Sequence, residues 1–260
     1  MTKYGMCEQS LVPVRKTPSE QSEMINQLLF GDLITIIDSN DSWYLITTIH
    51  DSYEGWVNIK QVTIIEQTKF ADLVSQTSVF LTDVYTKAIS QTGNFKNILL
   101  GARLPDFKNN SFVISDGKYQ FVGAVQSAKT KAAGSEIIDT SLKYIGTPYL
   151  WGGRSPFGID CSGFTQIVFM ISGINLGRDA SMQVKAGDTV NFITEAAAAD
   201  LAFFDNDDEK ITHVGIIINN KQIIHASGEV RIDSIDHQGI YNEKQKKYTH
   251  KLRIIKRILI

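Results

Sequence analysis

The sequence predicts an α+β protein whose first half is all-β and whose second half joins two helices to an antiparallel sheet. Short apolar runs separated by turn clusters fill residues 1–128, which is typical of small β domains. After a polar bridge at residues 129–134, two stretches carry apolar residues at steps of three and four, which indicate helices, and strand-like runs return from residue 200. We therefore expect three domains, at residues 1–65, 66–128 and 129–260.

The composition is that of an ordinary globular protein and excludes several classes of partner. The 260 residues are 43% apolar and 21% charged, with a formal net charge of −2. A nucleic-acid or anionic-membrane partner would need a basic excess, which is absent. No stretch approaches about 18 apolar residues, and the N-terminal segment carries no apolar signal. We expect a cytoplasmic monomer with no nucleic-acid partner, no membrane partner and no cofactor.

The chain has two cysteines, Cys7 and Cys161, far apart in the sequence. A reducing compartment disfavours a disulfide between them, and two thiols cannot form a four-thiolate metal site. We therefore expect Cys7 to be a packing residue.

Five short apolar runs predict the strands of the first domain: residues 11–14, 33–37, 43–49, 55–59 and 62–65. Five such strands suggest a small barrel. A long polar loop at residues 16–24 precedes Leu-Leu-Phe-Gly-Asp, then Trp43-Tyr44 and Gly55-Trp56-Val57. This order resembles that of a bacterial SH3 domain.

The second domain is also predicted to be built from strands. Its apolar runs lie at residues 78–81, 98–104, 111–115 and 119–125. The pair Asp116-Gly117 is a strong signal for a hairpin turn. We expect a second β-barrel, also SH3-like.

The third domain opens with a predicted helix. Ser135 can cap it, Ile138, Leu142 and Ile145 would face inward, and Gly146 would end it. After a second helix and a polar segment at residues 178–199, strands are expected at residues 200–204, 213–218, 222–226 and 252–258.

The second helix carries the candidate nucleophile. Residues 149–164 read YLWGGRSPFGIDCSGF, an irregular glycine- and aromatic-rich approach that becomes a buried helix at Asp160-Cys161-Ser162 and ends near Gly173. In the first turn, Cys161 would meet unpaired N–H groups and the positive end of the helix dipole, which favour the thiolate. A cysteine that only packs would have no use for this flanking sequence.

Thiolate attack on an amide needs a base for the sulfur and a proton for the leaving amine, and imidazole supplies both. His213 opens one apolar run and His225 closes the next. A three-residue loop would place Ile218 opposite Gln222 and Gly215 opposite His225, so that both histidines share a sheet face. His225 would then bond the far ring nitrogen of His213, and Gly215 would leave room for the substrate backbone.

One other interpretation of these three residues remains open at this stage. Cys161, His213 and His225 could bind zinc with one open position, although no acidic residue stands near either histidine to act as base. The remaining histidines, His50, His237 and His250, are expected to be exposed or in loops.

Residues 158–164 (GIDCSGF), His213-Val-Gly-Ile and His225-Ala-Ser-Gly closely resemble the NlpC/P60 cell-wall cysteine peptidases, which have a papain-like fold. The resemblance covers about residues 135–260. One departure is Ala198-Ala199-Asp200-Leu201, where the family usually has Pro-Gly-Asp-Leu. With the front barrel and Ser22-Glu23-Met24 included, the chain is similar to the γ-D-glutamyl-L-diamino-acid endopeptidases that carry N-terminal bacterial SH3 domains.

The resemblance implies a role for each of ten residues. Cys161 is the nucleophile, His213 the base and His225 the orienting residue, while the Tyr149 hydroxyl helps the Cys161 N–H to hold the oxyanion. Asp160 would bind a free α-amine with help from Glu23 of the first barrel. The remaining pocket residues would be Ser162, Ser181, Tyr53 and Trp56. No metal is implied.

The implied activity is hydrolysis of the γ-D-glutamyl amide bond in murein peptides such as L-Ala-γ-D-Glu-L-Lys or the meso-diaminopimelate form, in cell-wall peptide recycling or turnover. The alternative is a peptidoglycan-binding protein whose peptidase-like domain is inactive. An intact Cys161, His213 and His225 speak against that alternative.

Overall fold

A computed structural model describes residues 3–128, 133–206 and 208–259. The chain divides into two compact units. The first comprises Met1–Lys131, Trp151–Pro156 and Met170–Ile174, and the second comprises Ala132–Leu150, Phe157–Phe169 and Asn175–Ile260. The polar bridge predicted at residues 129–134 lies mostly outside the described residues, and the predicted three-domain boundaries stay a prediction. Within the described ranges, no helix has the length and apolar character needed to cross a membrane.

The first unit begins with a seven-stranded antiparallel sheet in the order β3-β2-β6-β5-β4-β1-β7. Its strands are β1 (Lys3–Met6), β2 (Leu11–Arg15), β3 (Met24–Leu29), β4 (Leu33–Asn40), β5 (Trp43–Thr48), β6 (Glu54–Asn58) and β7 (Thr63–Ile65), with a 3-10 turn at Ile59–Gln61. The five predicted strands are confirmed. Sequence reasoning missed β1 and β3, because neither alternates cleanly between apolar and polar residues.

The second β region follows a helix that was not predicted, α1 (Gln67–Ser75). Its strands are β8 (Val79–Leu81), β9 (Tyr85–Ser90), β10 (Phe95–Leu99), β11 (Ser111–Ile114), β12 (Gly117–Gln120) and β13 (Val125–Ser127). They form a four-stranded sheet, β10-β9-β12-β11, and a separate β13-β8 pair. The hairpin predicted at Asp116-Gly117 joins β11 to β12. An SH3-like form for this region stays a prediction.

The two β regions of the first unit share a core. Buried side chains of the first β region, Met6, Phe30 and Leu33, belong to the same apolar cluster as Phe112 and Tyr119 of the second region. A second cluster fills the first sheet itself and includes Cys7, which is fully buried, so the expected packing role of this thiol is confirmed. Cys7 and Cys161 are both free thiols.

The remaining elements begin with α2 (Gly134–Leu142), β14 (Arg154–Ser155), β15 (Gly158–Ile159), α3 (Cys161–Ile171), α4 (Ala180–Gln183), β16 (Asp188–Val190) and a 3-10 turn at Ile193–Glu195. They continue with β17 (Leu201–Asp205), β18 (Ile211–Asn219), β19 (Gln222–Ser227), β20 (Glu229–Ile235), β21 (Gly239–Asn242) and β22 (Lys247–Arg257).

The sheet of the second unit is antiparallel, as predicted, but its pairings close into a ring. The order is β16-β22-β17-β18-β19-β20-β21, and the long strand β22 pairs with β21 as well as β17. The first half of β22 lies against β21 and the second half against β17. Strands β16, β20 and β21 were absent from the sequence prediction.

Helix α2 exists where it was predicted, but the wrong face was assigned to the core. The buried residues are Ile137, Thr140 and Ser141, whereas Leu142 is 42% exposed and Ile145 46% exposed. Two small polar residues line the buried face, so apolar spacing alone misplaced it by about one residue. Just after the helix ends, the ring of Tyr144 contacts Phe164 of α3 edge-on.

The hairpin of β18 and β19 puts the two candidate histidines on one face by a different route from the one predicted. Gly215 does lie opposite His225, as expected, but Gln222 faces Asn219 instead of Ile218. The loop is therefore two residues long. A bulge between Ile217 and Asn219 inserts the extra residue into the strand and restores the shared face.

Candidate active site

Cys161 is the first residue of α3, as the sequence predicted, and its side chain is 6% exposed. The backbone N–H groups of Val214 and Ser162 donate hydrogen bonds to its sulfur. Because Val214 directly follows His213 on β18, this contact brings the thiol to the histidine-bearing hairpin within the second unit.

The start of α3 is held by a buried ion pair that sequence reasoning did not find. Arg178 donates to both carboxylate oxygens of Asp160, with Nη1–Oδ1 at 3.0 Å and Nη2–Oδ2 at 2.5 Å. Oδ1 of Asp160 also caps the helix by accepting the Gly163 N–H at 2.6 Å. Asp160 thus fixes the turn that carries the thiol, in addition to its predicted role in binding an amine.

Ser162 and Gln183 complete this buried polar cluster. The Ser162 hydroxyl lies 3.0 Å from Nη1 of Arg178, and the Gln183 amide donates to the Ser162 carbonyl at 2.9 Å. The Gln183 carbonyl oxygen accepts from Thr165 on the next turn of α3. These contacts tie α4 to α3. Because no apolar periodicity marks such residues, sequence reasoning missed Arg178 and Gln183.

Burial of the Cys161 sulfur works against the ionisation that the helix start was expected to favour. Burial, reinforced by the nearby Asp160 carboxylate, raises the pKa of Cys161 to about 12. The N–H groups at the sulfur and the Arg178 charge oppose this shift but do not overcome it. The helix start and the Arg178 charge therefore act on the thiol in the direction opposite to burial.

The two predicted histidines meet as expected. His213 Nε2 lies 2.9 Å from His225 Nδ1, and both side chains are buried. This leaves Nδ1 of His213 as the ring nitrogen available to the thiol. Burial lowers the pKa of both rings, that of His213 well below its usual value, so both are neutral near pH 7.

Asp233 extends this pair into a chain of three side chains. Its Oδ2 lies 3.1 Å from Nε2 of His225 and also accepts from Nε of Arg231 at 2.9 Å. Although burial works against ionisation, the hydrogen bonds from His225 and Arg231 lower the pKa of Asp233 to about 2. The alternation Glu-Val-Arg-Ile-Asp along β20 is a strand signal that could have placed Asp233 beside His225.

His250 also belongs to this cluster, although the sequence analysis assigned it to a loop or an exposed surface. It lies on β22, half-buried, and its ring stacks on His213 with centroids 4.1 Å apart. The prediction was wrong because β22 was expected to begin at residue 252, two residues after His250. His237, by contrast, is exposed in a loop as expected.

Tyr149 is joined by its backbone to the end of the hairpin that carries His213 and His225. Its N–H donates to the Gly228 carbonyl at 2.8 Å, and Gly228 directly follows the strand that carries His225. Burial, together with the neighbouring Cys161 and Asp160, raises the pKa of the Tyr149 hydroxyl. Tyr149 is therefore a neutral donor close to the sulfur, which fits a role at the oxyanion.

Gly215 has a different task from the one predicted. A Cβ added at this position would lie 2.7 Å from Ile223 Cδ1 and 2.9 Å from His225 Cβ. The space above Gly215 is thus filled by the partner strand and does not hold the substrate backbone. The glycine allows His225 to sit close against β18.

The other predicted pocket residues fall into two groups. Ser181 is exposed on α4, one helical turn from the Arg178 cluster in the second unit. Glu23, Tyr53 and Trp56 belong to the first unit. There the Glu23 carboxylate accepts from Nε1 of Trp151 at 2.8 Å and from Lys16 at 3.3 Å, and these contacts lower its pKa. Their roles toward a substrate stay predictions.

The zinc alternative considered from the sequence used Cys161, His213 and His225. Among the described residues, the group whose ligand atoms approach one another closely consists of His213, His225 and His250. The thiol is not part of it.

Two family models match the chain. Residues 146–252 match the model described as NlpC/P60 family, and residues 14–62 match the bacterial dipeptidyl-peptidase Sh3 domain. The first range contains the cysteine and the three histidines of the cluster.

Relatives are similar along most of the chain. A γ-D-glutamyl-L-lysine dipeptidyl-peptidase of Bacillus subtilis (strain 168) is 28% identical over 211 residues, which cover 77% of this chain and 71% of that protein. Dipeptidyl-peptidase 6 of Lysinibacillus sphaericus is 25% identical over 254 residues, which cover 85% of this chain and 88% of that protein. The crystal structure of an NlpC/P60 family protein from Bacillus cereus ATCC 10987 has the same fold, with a TM-score of 0.84 at 21% identity over 99% of this chain and 100% of that one.

Proposed function

Because the chain carries an NlpC/P60 cysteine peptidase domain and an N-terminal bacterial SH3 domain, we propose that it hydrolyses the γ-D-glutamyl-L-diamino-acid bond of murein peptides with a free N-terminal L-Ala, in cell-wall peptide recycling or turnover. The observation that carries the proposal is the contact of the Cys161 sulfur with the N–H of Val214, the residue directly after His213, whose Nε2 lies 2.9 Å from Nδ1 of His225. The relatives named for γ-D-glutamyl-L-lysine cleavage support the choice of bond.

Proton transfer to His213 accompanies the attack of the sulfur, since the resting thiol and imidazole are both neutral. Asp233 accepts the Nε2 proton of His225, so that Nδ1 of His225 accepts the Nε2 proton of His213. Nδ1 of His213 then carries a lone pair, which accepts the thiol proton as the carbon–sulfur bond forms. The same proton passes to the leaving amine of the diamino acid when the amide bond breaks.

The negative charge on the substrate carbonyl oxygen develops beside two donors. The backbone N–H of Cys161 and the hydroxyl of Tyr149 stabilise it, each donor contributing about 3 kcal/mol in comparable sites. The raised pKa of Tyr149 keeps its proton in place for this purpose. Water then hydrolyses the thioester, with His213 as the base.

The proposed amine recognition depends on Glu23 more than the sequence alone suggests. Arg178 already offsets the charge of Asp160, so an ammonium group gains less from Asp160 than from a lone carboxylate. The resemblance assigns the additional negative charge to Glu23, which is itself paired with Lys16, and it assigns the polar and aromatic walls to Ser162, Ser181, Tyr53 and Trp56. An N-acylated peptide presents no charge to this pair and is rejected.

The test is cleavage of L-Ala-γ-D-Glu-L-Lys, its meso-diaminopimelate counterpart and their N-acetylated forms, followed by mass spectrometry. We expect rapid release of the diamino acid from the free-amine peptides, slow release from the acetylated ones, and none with Cys161→Ala. Equal cleavage of free and acetylated peptides would contradict the amine requirement. Cleavage at another bond would contradict the proposed specificity while leaving the peptidase chemistry intact.

A further inference from the structure

His213, His225 and His250 form a cluster whose geometry has a second chemical use. One ligand nitrogen from each ring lies within 4.8 Å of the other two. The three rings come from β18, β19 and β22, which the closed ring of strand pairings holds together. Three imidazoles with one open position form a common zinc site, and His250 takes no step in the proposed hydrolysis.

The outer nitrogens of two of these rings are already oriented as metal ligands require. A metal-binding histidine generally engages its other nitrogen with a carboxylate or another polar group, which fixes the tautomer. His225 Nε2 does so with Asp233 at 3.1 Å, and His250 Nδ1 does so with the Thr249 hydroxyl at 2.9 Å. The remaining nitrogens, Nδ1 of His225 and Nε2 of His250, carry the lone pairs that a cation would use.

From this arrangement we propose that the three histidines bind a zinc-like divalent transition-metal ion, and that this ion inhibits the peptidase. The inhibitory part rests on the proposed function, because it uses the catalytic role of His213. Neighbouring ligand nitrogens around tetrahedral zinc are roughly 3.3 Å apart, given metal–nitrogen distances of about 2.0 Å. The His213–His225 pair at 2.9 Å has to open slightly. His250 has to tilt out of its 25° stack on His213, which its half-buried position allows.

The mode of inhibition follows from the tautomers. In the free protein, Nε2 of His213 carries the proton donated to His225. A metal at Nε2 displaces this proton to Nδ1, the nitrogen that would otherwise accept the proton of Cys161. The base is lost even though the metal does not bind the sulfur, so inhibition should be reversible by a chelator.

Direct metal binding tests the site independently of catalysis. The whole chain is titrated with Co²⁺, read by the visible absorption of tetrahedral cobalt, and Zn²⁺ affinity is measured by competition. We expect one ion per chain and at least a roughly tenfold loss of affinity in His250→Gln. His237→Gln, an exposed histidine outside the cluster, is the matched control and should retain full affinity. Cys161→Ser should bind as the unaltered chain does.

The outcomes separate the two proposals. Unchanged affinity in His250→Gln, or a sulfur-to-cobalt absorption band that disappears in Cys161→Ser, would overturn the three-histidine site. Tight binding that leaves cleavage unaffected would overturn inhibition through His213. If the murein peptides are not cleaved at all, the cobalt spectra still decide the metal site, because they require no substrate.

Discussion

The Nε2 nitrogen of His225 lies 3.1 Å from Oδ2 of Asp233, and this contact anchors the outer end of the proposed catalytic chain. Arg231 and Asn242 hold the same oxygen at 2.9 Å and 3.3 Å. The carboxylate is therefore fixed in position and ionised, and it selects one tautomer for His225 and, through it, for His213. In the proposed mechanism, Asp233 positions the two imidazoles and does not touch the substrate.

Replacing Asp233 with Asn should lower kcat by roughly 10- to 100-fold with little change in KM. An amide at this position can donate to Nε2 of His225 and so stabilise the opposite tautomer. Nδ1 of His213 then carries a proton and cannot accept one from the thiol. The measurement is steady-state cleavage of the free-amine tripeptide. Asp233→Glu should recover part of kcat, and Asp236→Asn, whose carboxylate contacts Tyr248, should leave it unchanged. A rise in KM without loss of kcat would contradict the positioning role.

The reactivity of Cys161 toward iodoacetamide should rise steadily with pH. Because the pKa of this thiol is raised to about 12, only a small fraction is ionised at pH 7, and the alkylation rate should show no plateau near the pKa of an ordinary thiol, about 8.5. Slow labelling at neutral pH is therefore compatible with an active enzyme. Mass-spectrometric rates between pH 6 and 10 test this, with Cys161→Ser as the blank. A plateau below pH 7 would instead indicate a thiolate–imidazolium pair in the resting enzyme.

Buried histidines should make the fold less stable as the pH falls from 6.5 toward 4. The pKa of His250 is lowered by burial to about 4, and the pKa values of His213 and His225 are lowered too. In this window the unfolded chain binds protons that the folded chain refuses, so the free energy of unfolding decreases with decreasing pH. Allowing for its partial exposure, His250 alone contributes about 2 kcal/mol to this loss.

Urea unfolding at pH 7 and pH 4.5 measures this effect. In His250→Phe the difference between the two pH values should be smaller than in the unaltered chain, because one of the groups that titrates is gone. His237→Phe removes an exposed histidine and should leave the difference unchanged. An equal pH dependence in all three proteins would contradict the assignment to His250.

Sequence reasoning brought the candidate catalytic residues together because their signals are local. The helix start at Cys161 and the hairpin with His213 and His225 each lie within a short stretch of chain. Asp233 lies on the strand directly after the one that carries His225, whereas His250 reaches the same cluster through the pairing of β22 with β17 and β21, which no local pattern encodes. The hairpin itself shows the limit, since the shared face of His213 and His225 depends on a bulge at residue 218 that hydrophobic alternation does not reveal.

The same limit applies to packing. The buried face of α2 carries Thr140 and Ser141, so a pattern of large apolar residues selected the neighbouring face. The Asp160–Arg178 pair joins the start of α3, which was recognised as functional, to the segment at residues 178–199, which was described only as polar. Buried polar residues of this kind contact partners that are distant in the sequence, and their spacing in the chain is not periodic.

Breaking the Asp160–Arg178 pair should destabilise the fold strongly. Arg178→Gln leaves a buried carboxylate without its cation, which typically costs about 3–5 kcal/mol. The double variant Asp160→Asn with Arg178→Gln should lose less, because neither charge remains. Lys246→Gln, at a pair with Glu243 that is exposed on both sides, is the control and should change stability by about 1 kcal/mol or less. A double variant less stable than Arg178→Gln alone would contradict this account.

Gly215→Ala should disturb catalysis through the position of His225. The new methyl group would lie 2.7 Å from Ile223 Cδ1 and 2.9 Å from His225 Cβ, so β19 has to move away from β18. Overpacking of this kind costs about 1–3 kcal/mol, and the shift also lengthens the 2.9 Å contact between His213 and His225. Adding Ile223→Val removes the Cδ1 clash but not the clash with His225. Urea unfolding and kcat measured on both variants should therefore show that stability recovers in part while kcat stays low. Full recovery of kcat in the double variant would show that Gly215 serves packing against Ile223 and not the placement of His225.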